Sequence, residues 1–301
     1  MRFLFRISIS FTLFAFLLQA CQSNQPEPVT QLQNPSDSLS ALVTQDDSLI
    51  KVTIPDFVAV INASVTPKGK LDRIITTYAG ANPTSLTINF PYDTRQRIIG
   101  RSVLNSPSKG VDNAVIYEYK NDKPYRTFTK VIQPGGTSFY FMEQMVYDAK
   151  ERHSAHLLYR VELDGQARVL ERNTLIYDSA NRLIEVKDPN GYHVGQLFDY
   201  KGDNMTLMSH KYANGTISTV KTEFQYDNKP NVLKGIYWTL NLGYIHQNMS
   251  MNNLLSRTFK DTLTTPQPTT YVTEYDTQNR LVRRSTTSSL GLVTDRYFFK
   301  N

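Results

Sequence analysis

The chain of 301 residues holds one cysteine, Cys21, and one tryptophan, Trp238. A single cysteine excludes a disulfide within the chain and any metal site built from several thiolates. No stretch sustains apolar residues at helical spacing, so long amphipathic helices are not expected. No Gly-x-Ser-x-Gly, phosphate loop or dinucleotide fingerprint occurs. The expectation is a chain with no enzymatic activity, no catalytic residues and no cofactor. A block of basic residues is also missing. The net charge of +6 is spread in small groups such as Arg283-Arg284. That reads as a solvated face and not as a nucleic-acid surface.

Histidine is scarce as well, at five residues. His153 and His156 are the nearest to a pair. On a regular strand, residues three apart point to opposite faces, so no metal site is expected. His193, His210 and His246 have no partner at ligand spacing. The adjacent carboxylates Asp46-Asp47 fall in a polar stretch. A polysaccharide or cell-wall hydrolase would need two carboxylates meeting in a cleft.

What the chain has in quantity is tyrosine and phenylalanine, 18 and 15 residues. They mark a repeat, clearest in Tyr177-Asp178-Ser179-Ala180-Asn181-Arg182-Leu183. Copies begin at Tyr92-Asp93, Tyr147-Asp148 and Tyr275-Asp276, with looser ones at Tyr119, Tyr200 and Tyr226. The steps between these tyrosines are 27, 28, 30, 23, 26 and 49 residues. A fixed period of this size marks a repeat architecture.

Each unit reads as a β-hairpin, with arms rich in Tyr, Phe, Ile, Val and Thr. The Asp accepts from backbone N–H groups ahead of it and starts the turn. Asn181 and Asn279 stand where a type I turn with a bulge needs a left-handed residue. Gln96 and Glu151 suit that place poorly, so those two turns are expected to differ. Further hairpins are signalled by Asp164-Gly165, Pro134-Gly135-Gly136, Asn190-Gly191 and Asn214-Gly215. Past the turn, Ile184 and Val186 are expected on one face, with Leu183, Glu185 and Lys187 on the other.

In chain order, residues 1–20 read as a secretory leader, with Arg2 and Arg6 before an apolar run from Ile7 to Leu18. That run is too short to span a bilayer. It ends in Leu18-Gln19-Ala20-Cys21, which resembles the bacterial lipobox. The resemblance implies lipidation of Cys21, palmitate among the acyl groups, and anchoring in the outer membrane. The neutral Gln22-Ser23-Asn24-Gln25 favours the periplasmic side over the cell surface. Residues 21–50 form a flexible tether. Residues 51–301 form a single β-repeat domain. Its first strands are expected at Phe57–Ile61 and Leu71–Tyr78, joined by a turn at Thr66–Lys70 and capping the array. Residues 233–262 break the period.

The Tyr-Asp-x-x-x-Arg-Leu units resemble YD (RHS-type) repeats. The layout of lipobox, tether and tyrosine-rich hairpins is similar to that of uncharacterised Bacteroidetes-type lipoproteins. The resemblance covers roughly residues 86–300 and brings no activity with it. The expected fold is all-β. Consecutive antiparallel hairpins form a meander of on the order of 16 strands, so the sheet curls strongly or closes like a barrel. The leading functional expectation is a non-enzymatic envelope lipoprotein that binds or scaffolds. Its partners would be the membrane, through the lipid, and a glycan or envelope protein. A carbohydrate-binding module using exposed aromatics is the alternative. Trp238, Tyr237 and Tyr244 are its candidate residues, because loops more than scaffold carry binding.

Overall fold

The computed structural model describes residues 49–80, 83–105, 113–132, 138–188, 193–234, 249–261, 265–288 and 291–301. The leader, most of the tether, Cys21 and the Trp238, Tyr237 and Tyr244 group lie outside the described residues. So do the Pro134-Gly135-Gly136 and Asn190-Gly191 turns.

The described chain is all-β, a meander of antiparallel strands whose pairings close into a barrel. After a two-residue strand β1 (Ile50–Lys51) and one short helix α1 (Phe57–Asn62) come β2 (Leu71–Ala79), β3 (Thr84–Asn89), β4 (Gly100–Asn105) and β5 (Asn113–Lys120). They continue with β6 (Lys123–Ile132), β7 (Ser138–Tyr147), β8 (His153–Val161), β9 (Gln166–Tyr177) and β10 (Leu183–Lys187). The second half holds β11 (His193–Lys201), β12 (Asn204–Tyr212), β13 (Ile217–Pro230) and β14 (Asn252–Lys260). The last four are β15 (Gln267–Thr270), β16 (Val272–Tyr275), β17 (Leu281–Ser288) and β18 (Gly291–Phe299). Tyr271 alone separates β15 from β16. β15 pairs with β14 on one side and β16 with β17 on the other, so the two act as halves of one broken strand. The last strand, β18, pairs along its length with β2, from Leu292 opposite Ala79 to Phe299 opposite Leu71. That pairing removes both free edges of the meander.

Closure gives the sheet an inner and an outer face. Along β13, Ser218, Thr222 and Phe224 are buried while Ile217, Thr219 and Gln225 are exposed. Following the register round the circuit, the buried face carries Ile74, Thr127, His156, Leu175, Val186, Phe198 and Tyr297. Two apolar clusters sit on it, one around Ile74, Leu281 and Tyr297, the other around Leu175, Phe198 and Phe224. A third lies on the outer face, where Phe128, Met142 and Tyr159 are covered by the N-terminal segment. There Val52 packs into the cluster, and Phe57 stacks on Tyr140 with ring centres 5.7 Å apart.

Two expectations for the N-terminal part need correction. Phe57–Ile61 is not a strand. Asp56 accepts from the N–H groups of Val58 and Ala59, both at 3.0 Å, and so caps a helical turn. The segment has no sheet edge to join, and none of its residues is buried. The predicted first hairpin is therefore absent. Leu71–Ala79 pairs with β18 and β3, so it closes the array where a cap was expected.

Candidate functional site

The repeat builds one rim of the barrel. In each full copy the Asp carboxylate organises its own turn. Asp148 Oδ1 accepts from the N–H of Lys150 and of Arg152, both at 2.9 Å. Its Oδ2 takes the Arg152 guanidinium at 2.7–2.8 Å. The same bonds recur at Asp93 with Arg97, Asp178 with Arg182 and Asp276 with Arg280. All four carboxyls are held below the usual carboxylate range. At Asp178 and Asp276 the backbone N–H bonds dominate; at Asp93 and Asp148 burial opposes the shift and the N–H groups and Arg outweigh it. The left-handed residue follows, as expected, at Asn181 (φ 61°) and Asn279 (φ 59°). Gln96 and Glu151 do not differ from them: both adopt φ 63°. The Asp–Arg clasp fixes the turn whatever residue occupies the strained place.

Tyr119, Tyr147, Tyr177 and Tyr200 then tie their hairpins to the ones before. The hydroxyl of Tyr119 donates to Ile98 O at 2.7 Å, Tyr147 to Pro124 O at 2.6 Å, Tyr177 to His153 O at 2.7 Å and Tyr200 to Leu183 O at 2.8 Å. Burial pushes the phenols of Tyr147 and Tyr177 up to about 12. The basic residue of each turn lies over the next ring. Arg97 is 4.4 Å from the Tyr119 ring centre, Arg152 5.2 Å from Tyr177 and Arg182 5.2 Å from Tyr200. It also reaches the next turn, as in Arg97 to Asp122 at 2.7 Å, Lys123 to Glu151 at 2.8 Å and Arg182 to Gly202 O at 2.7 Å. The Asp of the motif is thus structural, as its turn chemistry implies, and these tyrosines hold neighbouring hairpins together. Tyr226-Asp227 is an exception. β13 runs through it without turning, and Asp227 accepts from the N–H groups of Lys229 and Asn253 and from the Tyr275 hydroxyl.

At Tyr119, Tyr147 and Tyr177 the register also slips by one residue. Glu118 faces Arg126 while Tyr119 faces Pro124; Val146 faces Ala155 while Tyr147 faces His153; Ile176 faces Glu185 while Tyr177 faces Leu183. Such a bulge resets the alternation of side chains. It overturns two expectations drawn from strict alternation. Leu183 shares the inner face with Val186, both buried in one cluster, and does not point outward with Glu185. His153 and His156 do not diverge either. Their rings meet at 5.6 Å between centres with a 51° tilt.

The histidine pair belongs to a polar section of the interior. His156 is buried, and directly opposite it stands Met145, also buried. The ring of Tyr147 lies 5.9 Å from that of His153. Burial holds His153 down to about 4; burial and then His153 hold His156 down to about 3. His153 Nε2 and His156 Nδ1 are shut off from solvent without a hydrogen-bond partner. One rung further along β7, Glu143 is pushed up to about 7 by burial, against the hydrogen bond from Thr127 (2.9 Å) and the charge of Arg101. Arg284 and Asp295 pair at 2.8 Å on the same face, and Thr76 donates to Asp295 at 2.7 Å. No three residues among the described His, Cys, Asp and Glu gather as a metal-ligand set.

No family model matches the chain, and no curated protein matches it. Among solved structures it is similar to a porin-like protein of Bacteroides uniformis, at 12% identity and a TM-score of 0.49, covering 78% of this chain and all of that one. A porin-like protein of Bacteroides vulgatus matches at 13% identity and a TM-score of 0.37, covering 77% and 99%. The TcdB2-TccC3-TEV structure matches at 10% and 0.20, over 68% of this chain and 12% of that one. At these scores the fold stands on its own pairings, and no function is carried across.

Proposed function

We propose that the chain is a non-enzymatic envelope lipoprotein, held to a membrane by a lipid on Cys21 and not by its barrel, with a YD-like repeat as a rigid scaffold. The observation that carries this reading is charge on both faces of the sheet. A strand needs about 9–11 residues to cross a bilayer, and several here are long enough. A transmembrane barrel, however, presents an unbroken apolar band to lipid, and a Lys or Arg at its middle costs about 2–4 kcal/mol. The outer face here carries Arg73, Arg283 and Arg296 in adjacent strands, and Lys221, Glu223 and Lys260 in others. Lys260 pairs with Glu223 at 2.6 Å and Arg283 with Glu274 at 2.7 Å, as solvated side chains do. The inner face holds Glu143, Arg284 and Asp295. A barrel whose outer face is broken by charge needs another tie to a membrane, and Leu18-Gln19-Ala20-Cys21 supplies one. Several acyl chains on one residue give stable anchoring. Binding of a glycan or envelope protein, on the periplasmic side of the outer membrane, is the role this scaffold would serve.

The test is fractionation of cells expressing the full chain and its Cys21→Ser variant. The wild type is expected in the membrane fraction, with the variant in the soluble fraction. A variant that resists carbonate washing and stays with the membrane would sink the reading.

A further inference from the structure

The repeat rim and the charged outer face leave the histidine pair unused. We propose that His153 and His156, with Met145 opposite, form a binding site for one soft monovalent d10 cation, of which Cu(I) is the biological example. Three observations converge. The bulge at Tyr147 turns two imidazoles three residues apart onto one inner face, with ring centres 5.6 Å apart. With metal–nitrogen bonds of about 2.0 Å, two imidazoles sharing one ion bring their ring centres about 6 Å apart or less. Each ring also keeps a nitrogen that is closed to solvent and has no partner, His153 Nε2 and His156 Nδ1. Buried polar atoms in native proteins rarely stay unpaired without a reason. The third observation is the thioether: Met145 is buried and pairs with His156 across the ladder.

The donor set chooses the ion. Two imidazoles and a thioether are all neutral, imidazole serves copper among other metals, and the soft thioether favours Cu(I). Zn(II) takes four ligands in its structural sites, usually including thiolates. Among the described residues no third His, Cys, Asp or Glu joins the pair, and a buried dication without an anionic ligand would be costly. The monovalent ion asks for less charge compensation and accepts fewer ligands.

The experiment is anaerobic titration of the full chain carrying Cys21→Ser, which removes its one thiol, with Cu(I) competed by bicinchoninate and with Ag(I) as a redox-silent probe. One ion per chain should survive gel filtration, and the imidazole nitrogens of His153 and His156 should shift in 15N spectra. His156→Gln should lose the ion. Met145→Leu conserves volume and keeps the fold, so it should weaken binding at least roughly tenfold, since even the loss of a partner outside the ligand shell costs about 10–100-fold. His210→Gln is the control and should bind as the parent does. Should His156→Gln fail to fold, Met145→Leu and the nitrogen shifts decide. No ion retained, shifts confined to other histidines, or unchanged affinity in Met145→Leu would overturn the site.

Discussion

Replacing Gln96 by glycine should stabilise the protein, although the side chain removed makes none of the turn's bonds. Gln96 sits at φ 63° in an exposed turn. A left-handed conformation costs an ordinary L-residue roughly 1–2 kcal/mol. Glycine avoids that cost but gives the unfolded chain more freedom, worth about 0.5–1 kcal/mol in the other direction. The net gain is about 0.5–1 kcal/mol. The turn itself survives the change, because Asp93 still accepts from Arg95 and Arg97 and still holds the Arg97 guanidinium. The opposite rim shows the same solution in place, with Gly165 at φ 84° and Gly215 at φ 83°. Glu151→Gly should gain less, since Glu151 also pairs with Lys123 at 2.8 Å. That pair is exposed and contributes at most about 1 kcal/mol. Asn181→Gly should be close to neutral, because Asn already tolerates the conformation. The assay is urea unfolding of the four proteins side by side, with Gln96→Ala as a fifth that keeps the strain. A midpoint for Gln96→Gly no higher than that of Gln96→Ala or Asn181→Gly would refute the reasoning.

Two further outcomes follow from buried charge. Stability should fall as pH drops from about 6.5 toward 4. The unfolded histidines take up protons near 6.5, whereas folded His153 and His156 resist to about 4 and about 3. Glu143 acts in the opposite sense: its folded value near 7 lies above the unfolded 4.5, so it favours folding as pH falls through that range. Glu143→Gln should therefore steepen the acid loss, and urea midpoints at several pH values that show a shallower slope would count against these assignments. Asp295→Asn should cost about 3–5 kcal/mol, because it leaves the Arg284 guanidinium in the interior without its carboxylate. Arg284→Met combined with Asp295→Leu should recover most of that loss in the same unfolding assay, and a double variant as weak as Asp295→Asn would refute the assignment.

The sequence by itself determined the place and the Asp chemistry of each repeat turn, though not that Gln96 and Glu151 would take the same left-handed conformation as Asn181. Tyr177-Asp178-Ser179-Ala180-Asn181-Arg182 specifies its hairpin locally, since the Asp can reach only the N–H groups just ahead and Asn tolerates φ 61°. Repeated along the chain, it also fixes an all-β meander too long to stay flat. Tertiary structure decided the rest. Whether β18 finds β2 depends on the twist summed over the whole circuit, which no local pattern records. Phe57–Ile61 had the composition of a strand, but with no edge to join, its Asp56 cap prevailed. The largest change came from the bulges beside Tyr119, Tyr147 and Tyr177. Alternation of side chains is a rule for regular strands, and one extra residue reverses it. That single residue brings Leu183 inward beside Val186 and His153 onto the ring of His156. The turn is written in the residues that form it, while the direction a side chain faces depends on the register of a partner strand.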